Sequence, residues 1–345
     1  MARIVPSLLL TSGFLLAVAC SDSPTAPAAP SSPVTPSLSR DGADREFDAQ
    51  GNKSERHVFE LANSLGDRAA RAARGGGGTG ISYHGGPVLQ AATNVVAVYW
   101  GASPVYFGGP NPGTYNTSST SGDNSLVGYF LSNLGGSAYF NINTTYKDGL
   151  GQAIKNVVNY TGYWANATGV PSNGQNVSDA AMISMLQSGF TNHQLVYDPS
   201  TLYLVFSAGA VNLGGGFGTQ YCAYHTHGTV SVNGTNRTVL YAAMPYVNAY
   251  PSACTNNSPS PNGDPSADRE VNVLAHEIEE TTTDMMGSAW FDSRGYENAD
   301  KCAWNFGSMY TTANGGWANM NIGGKDWLVQ QNWINSGSGG CRLSW

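Results

Sequence analysis

Residues 264–285 read DPSADREVNVLAHEIEETTTDM, and the fold turns on where this stretch sits. Asp264 before Pro265 is an N-cap followed by proline at the first helical position, where its missing N–H costs nothing. Nothing from there to about Met285 breaks a helix. At about 100° per residue, Val271, Leu274, Ile278 and Met285 share one narrow arc, the stripe that faces a core. His276, Glu277, Glu280 and Asp284 spread over the opposite, outward face, and Glu279 stands apart from them, expected in water. An imidazole and a carboxylate one turn apart converge on one point, so His276 and Glu280 are candidate metal ligands. Glu277 projects beside them, where a general base acting on water is needed.

Elsewhere charge is scarce. The 345 residues are 11% charged, with 16 Lys+Arg against 23 Asp+Glu and a net charge of −7. No basic field exists to hold nucleic acid, and beyond the N-terminus no apolar run is long enough to span a bilayer. Ten of the acids crowd between Asp264 and Asp300, which directs the search for a site to that region. The pattern there is H-E-x-x-E, less specific than the H-E-x-x-H of zinc peptidases. A third ligand must come from elsewhere: Glu297, in Glu297-Asn-Ala-Asp300, is the candidate, with His225 and His227 as rivals. Asp300 and Asp284 are expected behind the ligands, Asp300 orienting the His276 ring. Zinc suits such a set, and calcium is the alternative ion.

The rest of the chain supplies a frame. Asn94–Trp100 and Thr201–Ser207 are continuous β-branched and aromatic runs, the pattern of buried strands. Ser125–Leu134 and the stretch after Ser178 have apolar residues at helical spacing, Ser178 being a natural N-cap. Segments 221–232 and 238–246 flank Asn233-Gly234, a strong hairpin signal. His225 and His227 alternate along the first of them and so point to the same face. About 60 residues rich in Gly, Asn and Trp follow the long helix. The expectation is a single α+β domain over 79–345, with a mixed sheet, mostly antiparallel at its edges, packed on the long helix.

Four cysteines of this region, Cys222, Cys254, Cys302 and Cys341, allow three disulfide pairings. Neighbour pairing is favoured because each bridge then closes a loop of moderate length. Upstream, residues 1–19 have a charged start, an apolar middle and small residues before Cys20, the layout of a lipoprotein signal. Cys20 is the expected lipidation site, with an ordinary secretory signal as the alternative. Residues 20–52 read as a disordered Pro/Ala/Ser tether. Residues 53–78 read as a short surface helix and Gly linker, a candidate pro-segment.

The order of Gly85-Gly86-Pro87-Val88-Leu89, Val95–Trp100, Thr201–Ser207, Cys222-Ala-Tyr-His225, Val271-Asn-Val-Leu-Ala-His-Glu277, Trp290-Phe291 and Glu297…Cys302 resembles the EXORDIUM (phosphate-induced protein 1) family over about 81–345. The resemblance implies a secreted or surface protein. Plant members are wall proteins linked to growth with no established reaction, and they generally lack His and acid at the positions of His276 and Glu280. Bacterial relatives keep the His-Glu-x-x-Glu form. The order of strand, helix, strand, hairpin and His-Glu helix is similar to zinc peptidases of the zincin fold. In those, the strand before the helix lies along the cleft and pairs with extended substrate, and in the glutamate-ligand type the third ligand comes from a later segment.

The expected function is therefore a lipid-anchored, zinc-dependent metallohydrolase, a peptidase, with His276, Glu280 and Glu297 as ligands and Glu277 as base. Its expected partners are an extended peptide or cell-envelope polymer, with membrane contact only through the anchor. The expected location is the bacterial cell envelope, at the outer membrane, or alternatively outside the cell. The competing reading is a non-catalytic surface protein that binds polysaccharide or a protein partner, with Trp290–Trp345 offering rings to sugars.

Overall fold

The computed structural model describes residues 43–47, 53–61, 80–214, 217–218 and 221–345. The expected signal peptide, Cys20, most of the expected tether and the expected Gly linker lie outside the described residues. In chain order the main elements are β1 (Ala43–Phe47), β2 (Lys53–Glu60), β3 (Ser82–Tyr83), β4 (Thr93–Trp100), β5 (Tyr115–Asn116), α1 (Leu126–Leu134), β6 (Val158–Asn166), α2 (Asp179–Thr191), β7 (Thr201–Ser207), β8 (Tyr221–Val232), β9 (Thr235–Met244), α3 (Pro251–Cys254), α4 (Pro265–Thr283) and β10 (Trp290–Phe291).

Eight strands form one mixed sheet in the order β1-β2-β8-β9-β7-β4-β6-β5. Its centre, β9-β7-β4-β6, is parallel, and both flanks are antiparallel. The chain passes from β4 through α1 to β6, then steps back over β4 through α2 to β7. Right-handed crossovers in opposite directions put their helices on opposite faces of a sheet. Strand residues alternate accordingly. Val95, Ala97, Tyr99, Leu202, Leu204 and Phe206 pack with α1 and α4, while Val96, Val98, Tyr203 and Val205 pack with α2. The hairpin between β8 and β9 turns on Asn233 and Gly234, both at positive φ (52° and 75°), as a two-residue type I′ loop requires. Among the described residues, no helix is long and apolar enough to cross a membrane.

Lys53–Glu60 is a strand, not the expected helix, and Ala43–Phe47, inside the expected tether, pairs with it. The reason lies in Val58 and Phe59. As neighbours on a strand they enter the two different cores, one on each side of the sheet, whereas a lone surface helix would leave both partly in water. The sheet thus takes in residues upstream of 79.

The long helix α4 is capped by Asp264, whose side chain accepts from the Ser266 and Ala267 amides, and it ends at Thr283. Val271, Leu274 and Ile278 face the core as the stripe predicts. The opposite side does not face outwards. The last 60 residues fold over it as short antiparallel ladders, tied by Cys302–Cys341, while Cys222–Cys254 ties the start of β8 to α3. Glu279 is consequently buried instead of solvated. Asn143 donates to its carboxylate at 2.6 Å, and burial holds its pKa well above the ordinary value.

Glu270, also on α4, is fully buried, and desolvation raises its pKa from 4.5 to about 8, with the Val247 amide and Tyr106 hydroxyl offsetting part of the shift. The folded chain then holds a proton that the unfolded chain releases, so stability falls as pH rises from 4.5 towards 8. Glu270→Gln should flatten that decline in urea titrations across the same range. An unchanged slope would mean that other groups cause it.

Candidate metal centre

Three elements converge on the middle of α4. The helix supplies His276, Glu277 and Glu280, β8 supplies His225, and β2 supplies His57. The segment leading into the 3-10 turn Asp300–Cys302 supplies Glu297 and Asp300. These groups fall into three donor sets, each with its ligand atoms within 4.8 Å of one another: His276, Glu280 and Asp300; His225, Glu277 and Glu280; and His57, His225 and Glu297. Glu280 joins the first two sets and His225 the last two, so the donors form one continuous patch.

Helical spacing creates the first set. His276 Nε2 lies 3.1 Å from Glu280 Oε1, one turn on, and 3.8 Å from Asp300 Oδ1. The Asp300 amide donates to Glu280 Oε1 at 2.9 Å, which fixes the turn against the helix. The ring of His276 stacks on Phe59, centroids 3.9 Å apart, and its Nδ1 is 3.1 Å from Gln330 Nε2. Gln330 is held by donating to Ala299 O and accepting from the Trp304 amide. In this orientation Nδ1 accepts and Nε2 carries the ring proton, so a cation on Nε2 requires the Gln330 amide to turn its oxygen towards Nδ1–H.

The other sets depend on the edge of the sheet. His225 Nδ1 lies 3.2 Å from Glu277 Oε2 and 3.7 Å from Glu280 Oε2, and its Nε2 lies 3.7 Å from Glu297 Oε2. The His57 ring stacks on that of His225 at 4.9 Å, with Nδ1 2.8 Å from Glu297 Oε2. Desolvation dominates the electrostatics. It raises the Glu277 pKa well above the ordinary range, helped by Glu280, Asp300 and Glu297, and it depresses His225, helped by His57 and His276. Among the described residues, Glu277 Oε1 and His225 Nε2 are buried without a hydrogen-bond partner. Buried polar atoms are normally satisfied, and a mixed nitrogen and carboxylate set is what a divalent ion would satisfy here.

The sequence-predicted residues are thus distributed unequally. His276, Glu277, Glu280, Asp300 and Glu297 come together, but Asp300 shares the set of His276 and Glu280, while Glu297 turns to His57 and His225. His225 belongs to the cluster. His227, half-buried two residues further along β8, is in none of the three sets. Asp284 lies at the C-cap and accepts from the Ser288 and Ala289 amides, shaping the turn after the helix. His57, Phe59 and Gln330 also belong to the site, outside the residues that the sequence pattern singles out. The adjacent apolar pair Val58-Phe59 was the available hint of a strand; nothing in the sequence pointed to Gln330.

Residues 132–323 match the model of the phosphate-induced protein 1 conserved region. The chain belongs to the phosphate-induced protein 1 family. Over 165 residues it is 32% identical to the protein named EXORDIUM-like 3 of Arabidopsis thaliana, covering 42% of this chain and 47% of that protein. The chain therefore spans about half the length of that curated relative. No solved structure matches it. Within the matched residues lie His225, His276, Glu277, Glu280, Glu297 and Asp300.

Gln330→Met keeps the side chain's size and removes the partner of the His276 ring. Cation affinity, read by competition with a chelating dye, should fall about 10- to 100-fold. Equal affinity would show that the ring is oriented by other contacts.

Proposed function

We propose that the chain is a zinc-dependent hydrolase of extended peptides, anchored at a bacterial cell envelope through a lipid on Cys20. The observation that carries this reading is the buried donor patch on α4, in which Glu277 keeps one oxygen without a hydrogen bond among the described residues, beside His276, Glu280 and Asp300. Imidazole nitrogens in each donor set favour zinc over calcium, which takes six to eight oxygens. His276, Glu280 and Asp300 would hold the ion. When bound, it supplies Lewis acidity at the scissile carbonyl and acidifies a water molecule. Glu277 would take a proton from the attacking water and pass it to the leaving amine. Burial and three neighbouring carboxylates raise its proton affinity. His225, 3.2 Å away, orients the Glu277 carboxylate.

The competing polysaccharide-binding reading has less surface to work with. Of the tryptophans after the long helix, Trp304 and Trp327 are core residues, and Trp317 and Trp345 are the well-exposed ones.

Elemental analysis of the purified full chain should find about one zinc per chain. His276→Ala should lose it. Glu277→Gln should keep the metal and lose roughly 10²- to 10⁴-fold in hydrolysis of an unstructured protein. A chain that neither contains zinc nor is stabilised by added zinc would sink the proposal.

A further inference from the structure

The donors of the patch are almost wholly shut off from solvent, and much of what covers them is β2. This strand adds to β8 in antiparallel register, His57 opposite His225, Val58 opposite Tyr224 and Phe59 opposite Ala223. An extended peptide binds a sheet edge in this way, with main-chain bonds for affinity and alternate side chains for selection. The alternation of β2 reads accordingly. His57 and Phe59 point to the α4 side, where one stacks on His225 and reaches Glu297 and the other stacks on His276 and Trp304. Arg56 and Val58 point to the α2 side.

Arg56 fills a site built by the body of the domain. Its Nε donates to Asp179 Oδ2 at 2.8 Å, one terminal nitrogen donates to Leu213 O at 2.8 Å and to the Tyr221 hydroxyl at 3.3 Å, and the guanidinium lies 4.3 Å over the Tyr224 ring. Asp179 is in turn held by the hydroxyls of Tyr224 and Tyr241. A carboxylate, a carbonyl and an aromatic face together recognise a planar guanidinium, not an ammonium. A buried ion pair adds little net stability, so specific recognition is the better reason for this one.

We propose that Lys53–Glu60 is a self-bound occupant of a peptide groove along β8, that the groove selects an extended peptide with arginine in the Arg56 pocket, and that departure of the strand opens the metal centre. The substrate class rests on the hydrolase reading above; occupancy of the groove does not. Residues 62–79 join the strand to the rest of the domain and contain Arg68, Arg71, Arg74 and the run Gly75–Gly78. One hydrolytic cut there by a trypsin-class protease, water supplying hydroxyl to the carbonyl carbon and hydrogen to the amine, leaves β2 held only by noncovalent contacts.

The test uses a fluorescent peptide, KSERHVFEL, which is residues 53–61, with the intact chain, the chain nicked by trypsin within 62–79 as verified by mass spectrometry, and the full-length variant Arg56→Ala. Anisotropy should show binding to the nicked chain and to Arg56→Ala but not to the intact chain. The peptide with alanine for its arginine should bind about tenfold more weakly or worse. Circular dichroism checks that Arg56→Ala is folded, and the nicked chain serves alone if it is not. Equal binding to the intact chain, binding to neither opened form, or indifference to the peptide's arginine would each overturn the proposal. Peptide binding without hydrolysis by the zinc-loaded nicked chain would refute the hydrolase and leave the groove standing. Equal hydrolysis by intact and nicked chains would do the reverse.

Discussion

Glu277 and Glu280 occupy the side of α4 that faces β8, and both are closed off from water. A carboxylate in that position must be protonated, hydrogen-bonded or matched by positive charge, because the cost of a bare buried anion exceeds what packing returns. Much of the molecule around the helix serves this need. β8 brings His225, the turn before Cys302 brings Asp300 with its amide on Glu280, and the C-terminal segment brings Gln330 to His276. The disulfides stand close to these groups: Cys302 is two residues after Asp300, and Cys222 is three before His225. Both sides of the patch are therefore tied down.

The sheet explains why the patch lies where it does. Its parallel centre requires crossover helices, and their two directions of travel cover both faces. The hairpin of β8 and β9 then extends the sheet beyond the parallel strands, and the chain returns as α4 on the same face as α1. His225 on that extension lies over the helix. An edge so placed needs a partner strand, and β2 is that partner in this structure. Family membership fits a shared framework over 132–323, and the donors that lie in it occupy the helix, the hairpin and the turn after them.

Local chemistry was legible in the amino-acid order. Asp264 and Pro265 start the helix, Ser178 caps another, Asn233-Gly234 makes the hairpin, and apolar runs mark β4 and β7. The i, i+4 relation of His276 and Glu280 could be read for the same reason, since a helix fixes the separation of its own side chains. Glu279, expected in water, is buried instead, because spacing on a helix says which residues share a face and not what comes to lie on it. Asn143, remote in sequence, decided its environment.

The amino-acid sequence by itself determined a long capped helix carrying His276, Glu277 and Glu280, a mixed sheet to support it and a family framework around it. Only the tertiary structure decided that this helix is enclosed on every side, that Asp300 and Glu297 join different donor sets, that His225 and His57 complete the patch, and that β2 covers it. The physical reason is the range of the interactions. Caps, turns and helical spacing act within a few residues, whereas His225 meets Glu277 across 52 positions, Gln330 meets His276 across 54 and Arg56 meets Asp179 across 123. Contacts of that span exist only once the chain has folded.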